Sequence, residues 1–342
     1  MHQHNHGMKN VIILGSTGSL GTQTIEVLEK FKGDFKIIGI SANKSKELLD
    51  AQAEKLGISK ENTVLASGNT GGLEKLATHP EADIVVNVLS GIAGTLPTIA
   101  ALKSGKTLLL GNKESLVAEG KAVMDLARPG QLIPLDSEHN AIFEILKKHP
   151  GCTIKKITIP CSGGPFFGKT REELGGLTVN DALKHPKWSM GAKISLESAI
   201  LINKGLEIVE AHYLFGLPLA KIDTKIHPEC QIHGIVEFEE LETPQAYVSA
   251  PDMREHIENA FLHILGSNAS ENRIKDLPGA YILHDPDHKT FPGIKIVLDA
   301  FKSGPSGMAK FLEKEESILG RATKKTQICS IIEEVSRLRH LG

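Results

Sequence analysis

The chain has 342 residues, 40% of them hydrophobic, and its formal net charge is −2. This length favours two or three domains, and the near-neutral charge gives no reason to expect nucleic acid as a partner. No run of about eighteen apolar residues is present, so the sequence predicts no membrane-spanning helix. The first ten residues carry no apolar signal core, so we expect a cytoplasmic protein, and His2, His4 and His6 resemble a purification tag.

The segment after these histidines predicts a strand, a glycine turn and a helix. The apolar stretch NVIIL begins at Asn10, Gly15, Gly18 and Gly21 follow, and TQTIEVLEKF continues as an amphipathic helix. Glycines let the backbone approach a pyrophosphate, whose charge meets the N–H groups of the helix N-terminus. The spacing is GxxGxxG rather than GxGxxG, so a tight turn without a ligand stays open as an alternative.

The end of the second predicted strand, FKIIGIS, indicates which dinucleotide would bind. An enzyme that uses NAD usually carries Asp or Glu at this place, whereas this chain continues with Ala42, Asn43, Lys44 and Ser45. The Lys44 ammonium would attract a 2′-phosphate that a carboxylate would repel. We therefore predict NADPH as the cofactor, and a solvated loop lysine is the alternative.

Further strands and helices alternate along the first third of the chain. The predicted strands ADIVVNVL, KTLLL and QLIPL are separated by the helical stretches LPTIAALKSG and LVAEGKAVMDLA. This order predicts an α/β fold with a doubly wound, parallel, Rossmann-like sheet, in which ligands bind beyond the carboxyl ends of the strands. The polar residues that directly follow two of these ends are Asn112, Lys113, Glu114, Asp136, Ser137 and Glu138.

The stretch from His185 to Glu210 combines charged side chains with an apolar surface. Interpreted as a helix from Ser195, it places Asn203, Lys204 and Glu207 on one flank, among apolar residues that predict burial. A buried ammonium or carboxylate needs a partner, because desolvation of either one alone is costly. A structural ion pair between Lys204 and Glu207 is one interpretation, and a site for an anionic, oxygen-rich ligand is the other.

Three carboxylates offer an all-oxygen ligand set. Asp136, Glu138 and Glu207 together would suit a hard divalent ion such as Mg²⁺ or Mn²⁺. The plainer alternative is that Asp136 or Ser137 caps the following helix and Glu138 favours its first turn. On an ideal helix Ser198 lies opposite the charged flank, so it joins such a site only if the helix starts later or kinks.

Taken together, these motifs resemble one enzyme family. The order and spacing of the 1-deoxy-D-xylulose 5-phosphate reductoisomerases are matched over essentially residues 9–300 by GSTGSLG, LLLGNKESLV, PLDSEHNAIFE, SGGPF, HPKWSMGAKIS, NKGLE, IHPECQIHG and PDMR. The resemblance implies conversion of 1-deoxy-D-xylulose 5-phosphate to 2-C-methyl-D-erythritol 4-phosphate in the non-mevalonate isoprenoid pathway. It also implies a homodimer that uses NADPH and Mn²⁺ or Mg²⁺.

The resemblance further implies roles for individual residues. The metal would be held by Asp136, Glu138 and Glu207, and proton transfer would fall to Lys113 and Glu138. The substrate contacts would be Lys113, Ser137, Glu138, Ser162, His185, Trp188, Ser198, Asn203, Lys204 and Glu207. The cofactor contacts would be Thr17, Gly18, Ser19, Leu20, Asn43, Lys44, Ser45, Asn112, Glu114 and Gly191.

The predicted domains follow the same resemblance. They are an NADPH-binding domain at 8–138, an α+β catalytic and dimerisation domain at 139–265 with a flap at 185–192, a linker at 266–292, and a small C-terminal helical domain at 293–342. Trp188 is expected in the flap, with a core tryptophan as the alternative.

Two departures from the family pattern stand out. The usual Asn-Ala-Ala-Asn-Glu segment appears as EKEES at 313–317, and Ala192 stands where an arginine commonly follows the flap glycine. We therefore expect altered bracing of the site and weaker cofactor contacts.

Two other functions stay open. A metal-independent NADP dehydrogenase of the semialdehyde or homoserine type has a similar domain pairing, and the semialdehyde type needs a nucleophilic cysteine. A non-catalytic NADPH-binding protein is the second, and the retained carboxylates and Lys204 argue against it. The cysteines, which form no CxxC pair and are predicted to be reduced thiols, are Cys152, Cys161, Cys230 and Cys329.

Overall fold

The computed structural model describes residues 7–67, 69, 71–184, 187, 191–277, 279 and 281–340. The chain forms two compact units. Unit 1 consists of Met1–Ser115, Lys121–Asp136 and Met253–Ser267, and unit 2 consists of Leu116–Gly120, Ser137–Asp252 and Asn268–Gly342. Within the described ranges, no helix is long and apolar enough to cross a membrane.

Unit 1 is built around a six-stranded parallel sheet. The strands are β1 (Lys9–Leu14), β2 (Phe35–Ala42), β3 (Thr63–Leu65), β4 (Ile84–Asn87), β5 (Thr107–Leu110) and β6 (Leu132–Pro134). Their order is β3-β2-β1-β4-β5-β6, which reverses direction beside β1 as in dinucleotide-binding folds. The helices between them are α1 (Ser19–Leu28), α2 (Lys46–Leu56), α3 (Gly72–Ala77), α4 (Thr95–Lys103) and α5 (Lys113–Leu126). The predicted Rossmann-like fold is confirmed.

Close backbone approaches explain the glycines of the turn after β1. Gly15 has φ of +93°, and a Cβ there would lie 2.9 Å from the carbonyl oxygen of Val88. A Cβ on Gly21 would lie 2.2 Å from the carbonyl oxygen of Gly15. The turn and the first turn of α1 therefore pack directly against each other, and only glycine fits at both positions.

Unit 2 contains a five-stranded mixed sheet. Its strands are β7 (Ile154–Cys161), β8 (Ile222–Ile226), β9 (Ile232–Phe238), β10 (Gln245–Val248) and β11 (Ile274–Asp276), in the order β11-β10-β9-β7-β8. Only the β7–β8 pair is parallel, while the other three pairs are antiparallel. The helices that precede β8 are α6 (Ser137–Lys148), α7 (Val179–Ala182), α8 (Ala192–Ala199) and α9 (Ile202–Phe215). This is the predicted α+β architecture.

The single helix predicted from Ser195 onward is two helices, α8 and α9. The break lies at Leu201, whose φ of +61° falls in the left-handed region that residues other than glycine rarely adopt. Gly293 packs against this break, because a Cβ on it would lie 2.3 Å from the Ile200 carbonyl oxygen and 2.6 Å from the Ile202 nitrogen. Long-range packing, which periodicity does not report, therefore accompanies the kink that would let Ser198 join the site.

The helix α10 (Met253–Ile264) returns to unit 1 and packs on α1. Arg254 donates a hydrogen bond to Glu26 at 2.8 Å, and the rings of Phe35 and Phe261 lie 4.9 Å apart. The predicted domain 139–265 differs from the structural units here, because these contacts join distant parts of the chain.

Three helices end the chain in unit 2: α11 (Gly293–Lys302), α12 (Gly304–Arg321) and α13 (Ile328–Ser336). A Cβ on Gly205 of α9 would lie 2.8 Å from the Cβ of Val297, so α9 and α11 are in close contact. Their apolar side chains, including Phe311 and Ile331, join the core of unit 2. The predicted linker at 266–292 contains β11, which pairs with β10.

Candidate active site

Lys204 lies at the centre of a buried polar cluster in unit 2. Its ammonium nitrogen lies 2.7 Å from a Glu138 oxygen and 2.6 Å from the Pro160 carbonyl oxygen, and it contacts the Glu207 carboxylate. The side chain of Lys204 is 3% exposed. Burial lowers the pKa of Lys204, but the two carboxylates outweigh that effect and raise its pKa overall, so the ammonium stays charged.

The structure brings together Glu138 and Glu207, which the sequence alone could not place near each other. Glu138 lies in the first turn of α6 and Glu207 in α9, and both contact Lys204. Asn203 donates a hydrogen bond to Glu207, as their spacing predicts, and the Ser137 hydroxyl donates to Glu138 at 2.5 Å. The Lys204–Glu207 ion pair exists, but it is part of a larger polar cluster.

His139 and Glu210 also belong to this cluster, although neither was predicted as a site residue from the sequence. The Nε2 of His139 lies 2.9 Å from the Glu207 carbonyl oxygen, and its Nδ1 lies 3.5 Å from a Glu210 oxygen. A carbonyl oxygen can only accept, so Nε2 carries the proton. Both side chains are fully buried. The sequence feature that could have identified His139 is its position directly after Glu138 in the motif DSEHNAIFE.

Ser162 and Ser198, two predicted substrate contacts, lie on segments that pack together. A Cβ on Gly164 would lie 3.1 Å from the Ala199 Cα and 3.2 Å from the Ser198 carbonyl oxygen, and Gly164 has φ of +67°. The backbone nitrogen of Gly164 donates to the Ser162 hydroxyl at 3.0 Å. Both serines are half-buried, so their hydroxyls retain access to solvent.

Lys113 and Asp136 form a second ion pair, within unit 1. The Lys113 nitrogen lies 2.5 Å from an Asp136 oxygen, and the two side chains are 7% and 12% exposed. Asp136 is the last residue of unit 1 and Ser137 begins a segment of unit 2. Because the predicted metal ligands come from both units, their assembly stays a prediction.

Asn112 and Glu114 fix the loop that follows β4. The Asn112 amide nitrogen donates to the carbonyl oxygens of Leu89 and Gly91, each at 2.9 Å, and Glu114 accepts from the Gly91 nitrogen at 2.8 Å. The Asn112 side-chain oxygen accepts from the Ser115 nitrogen at 3.1 Å and so caps α5. These contacts give both residues a structural role, and their contact with the cofactor stays a prediction.

The remaining predicted cofactor contacts of unit 1 occupy two loops at one edge of the sheet. The loops follow β1 and β2, which are adjacent parallel strands with Leu14 beside Ser41. The residues on these loops and at the start of α1 are Thr17, Gly18, Ser19, Leu20, Asn43, Lys44 and Ser45. Lys44 is exposed, as expected for a side chain that would meet a 2′-phosphate.

The flap lies largely outside the described residues. His185, Pro186, Trp188, Ser189 and Met190 belong to that part, as do the histidines of the N-terminus. Gly191, the last predicted cofactor contact, is exposed and is the N-cap residue of α8.

Cys161 lacks the properties of a nucleophile. Burial raises the pKa of its thiol, although the Lys204 ammonium acts in the opposite direction. A thiol that stays protonated is a poor nucleophile. Cys161 therefore does not support the semialdehyde dehydrogenase alternative.

A cavity of about 530 Å³ lies in unit 2 between Gly163, Leu201 and Phe291. Its lining includes both cationic and acidic side chains, such as Lys169 and Asp287. None of the predicted substrate contacts that the structure describes line it, so the site is defined by the Lys204 cluster instead.

Comparison with known proteins identifies the family. Residues 11–67 and 55–120 match the family model for 1-deoxy-D-xylulose 5-phosphate reductoisomerase, and residues 132–215 match that of its C-terminal domain. The reductoisomerase of Bacillus cereus strain Q1 is 40% identical in an alignment of 318 residues that covers 87% of this chain and 83% of that protein. The reductoisomerase of Halothermothrix orenii is 40% identical over 315 residues, with 86% and 82% covered.

Solved structures agree over nearly the whole chain. A DOX-P reductoisomerase in complex with NADPH, fosmidomycin and magnesium matches with a TM-score of 0.76 and 27% identity, covering 97% of both chains. The Zymomonas mobilis reductoisomerase in complex with NADPH matches with a TM-score of 0.72 and 29% identity, covering 98% of both chains. The chain therefore belongs to the 1-deoxy-D-xylulose 5-phosphate reductoisomerase family.

Proposed function

We propose that this chain converts 1-deoxy-D-xylulose 5-phosphate to 2-C-methyl-D-erythritol 4-phosphate, in non-mevalonate isoprenoid precursor synthesis. The reaction consists of a skeletal rearrangement followed by hydride transfer from NADPH. The observation that carries the proposal is the meeting of Glu138 and Glu207 at the Lys204 ammonium, inside a chain of this family. Solved relatives in complex with NADPH and magnesium support both cofactors.

The donor set fits a divalent cation. Glu138 and Glu207 are carboxylates that already share one positive charge, that of Lys204, and Asp136 would complete an all-oxygen set suited to Mg²⁺ or Mn²⁺. When bound, such an ion stabilises negative charge on the carbonyl and hydroxyl oxygens of the substrate. The choice between the two ions stays a prediction.

Four residues are proposed to bind the substrate phosphate: Ser162, Ser198, Asn203 and Lys204. A charged ammonium gives the strongest of these contacts. In this structure Lys204 compensates two carboxylates, so its binding of a phosphate requires other positive charge near Glu138 and Glu207. We therefore infer that metal and phosphate bind cooperatively. The phosphate contacts would also help order the reacting end of the substrate.

Lys113 and Glu138 are proposed to hold or move protons at the substrate hydroxyls. Lys113 is nearly buried and paired with Asp136, which orients its ammonium. Ser137 is proposed to orient Glu138 through its 2.5 Å hydrogen bond. His185 and Trp188 would cover the substrate from the flap and exclude water.

The proposed cofactor site follows β1 and β2. The pyrophosphate would meet the backbone N–H groups at Gly18 and Ser19, and Lys44 would meet the 2′-phosphate of NADPH. Homodimer formation and a cytoplasmic location remain predictions from the sequence and the family resemblance.

The decisive experiment measures NADPH oxidation by the purified protein with 1-deoxy-D-xylulose 5-phosphate. It is run with Mg²⁺ or Mn²⁺, in excess chelator, and with the variant Glu207→Gln. We expect turnover with metal that is lost in chelator and in the variant. A protein that oxidises NADPH equally well in chelator is a metal-independent dehydrogenase, and one that never turns over is not an enzyme of this reaction. A Glu229→Gln variant, changed at an exposed carboxylate, is the matched control.

A further inference from the structure

Three charged side chains join α12 to α8, away from the Lys204 cluster. The Lys193 ammonium contacts the Glu197 carboxylate and lies 3.4 Å from an oxygen of Glu315. Glu197 and Glu315 therefore face the same ammonium from two helices. Glu197 is 4% exposed and Glu315 is 1% exposed, while Lys193 reaches solvent with 26%. Two acids thus share one cation in a nearly dry environment.

Two buried carboxylates on one ammonium leave one negative charge uncompensated, and a proton on one of the acids removes that charge. Within the described ranges, no donor satisfies the buried oxygens of Glu315 by a normal hydrogen bond. Burial and the negative charge of Glu197 raise the pKa of Glu315 well above its ordinary value of 4.5, and Lys193 only partly opposes this rise. Glu315 therefore keeps its proton at pH values where an exposed glutamate has lost it.

The other helices that pack on α12 are α11 and α13, which contribute apolar groups to the shared core. Their charged side chains have other partners or, like Lys302, are exposed. On α13, Glu333 pairs with Arg171 and Glu334 pairs with Arg321. On α11, Lys295 pairs with Asp299 along the helix. The charged groups that face Glu315 are therefore Lys193 and Glu197, both from α8.

We propose that Glu315 is a positioning residue, which forms with Lys193 and Glu197 a proton-sharing clamp that holds α8 in place for the substrate phosphate. Ser198 directly follows Glu197 on α8, so the part of the proposal that concerns the phosphate rests on the proposed function. Glu315 belongs to the segment 313–317 that departs from the family pattern, and the clamp gives this departure a physical role.

The clamp predicts a specific dependence of stability on pH. Above pH 4.5, the ordinary pKa of a glutamate, the unfolded chain has lost the proton that folded Glu315 keeps. The contribution of Glu315 to the free energy of unfolding is fully present below that pH and falls as the pH rises towards the raised pKa. The unfolding constant of the wild type should therefore increase by up to about tenfold per pH unit relative to that of Glu315→Gln. Gln keeps the shape and the hydrogen bonds of the protonated acid without titrating.

The measurement is urea unfolding of the full chain at several pH values between 5 and 8. Glu316→Gln, one residue away and exposed, is the matched control and should keep the wild-type pH dependence. Glu197→Gln should weaken this pH dependence without abolishing it, because the negative charge of Glu197 is removed while burial, the largest cause of the raised pKa of Glu315, remains. The double variant removes both carboxylates from the Lys193 ammonium and should be less stable than either single variant. Parallel pH dependences of the wild type and both single variants would overturn the shared proton.

Positioning is tested by kinetics with 1-deoxy-D-xylulose 5-phosphate. Glu315→Leu, which cannot hold Lys193, should raise KM about tenfold while kcat changes much less, and Glu315→Gln should restore the wild-type KM. The KM of Glu316→Gln is measured at the same pH as a control. The substrate phosphate, whose second pKa is about 6, titrates equally with both variants, so its effect on KM is the same in both. A folded Glu315→Leu variant with unchanged KM would reduce Glu315 to a structural residue.

The role of Glu315 can still be tested if one of these variants does not fold or if the protein shows no turnover. If Glu315→Leu does not fold, the Glu197→Gln, Glu315→Gln double variant carries the same kinetic comparison. If the wild type shows no turnover, the proposed function fails, whereas the unfolding experiment still decides whether the proton is shared.

Discussion

Replacement of Lys204 by Met tests whether this ammonium is the charge that keeps Glu138 and Glu207 together. The substitution keeps much of the volume but leaves two carboxylates, 18% and 3% exposed, without their cation. Removal of one partner from a buried ion pair costs about 3–5 kcal/mol. We expect a loss of this size in the free energy of unfolding, measured with urea in excess chelator.

A divalent ion should reverse part of this loss. If Mn²⁺ binds the carboxylates of the folded variant, a concentration of about 100 times its dissociation constant adds about 2.7 kcal/mol of stability. The variant should therefore gain more from Mn²⁺ than the wild type, in which Lys204 already compensates both acids. Lys225→Met, changed at an ammonium that also contacts two carboxylates but is 31% exposed, is the control. A Lys204→Met protein as stable in chelator as the wild type would refute the electrostatic argument.

Three further predictions concern other parts of the chain. Lys44→Ala should raise the KM for NADPH about tenfold or more and leave the KM for NADH unchanged, since a charged hydrogen bond contributes about 1.5–3 kcal/mol. Equal effects on the two KM values would exclude a contact between Lys44 and the 2′-phosphate. Gly21→Ala should lower the melting temperature and abolish cofactor binding, because its Cβ would lie 2.2 Å from the Gly15 carbonyl oxygen. The control Gly33→Ala, where a Cβ meets nothing within 4 Å, should change neither property. Cys161→Ala should keep kcat within a few-fold of the wild-type value. A loss of activity in this variant would indicate that Cys161 acts as a nucleophile.

Several features of this protein follow from the sequence because they are local. The glycines after β1 and the polar residues that follow β2 could be recognised from short patterns, and the tight turn that the glycines predicted is present. The spacing of Asn203 and Glu207 predicted that they share one flank of a helix, and in the structure they are joined by a hydrogen bond. Motif order predicted the family over most of the chain.

Other features depend on residues that are far apart in the sequence. The break at Leu201 accompanies the approach of Gly293, and the return of α10 to unit 1 depends on partners such as Glu26. The contact of His139 with the Glu207 carbonyl oxygen involves a backbone atom, which no pattern of side chains reports.

The same distinction applies to the charges. The sequence offered Lys204 as an ion-pair partner of Glu207, which lies one helical turn away, but not of Glu138, which lies on another helix. It showed that the segment 313–317 was unusual without indicating that Glu315 meets Lys193. Periodicity records which residues share a helix face or a strand end, whereas the partner across the core is chosen by packing. Local structure and family were therefore determined by the sequence alone, and only the tertiary structure decided which charges are buried together.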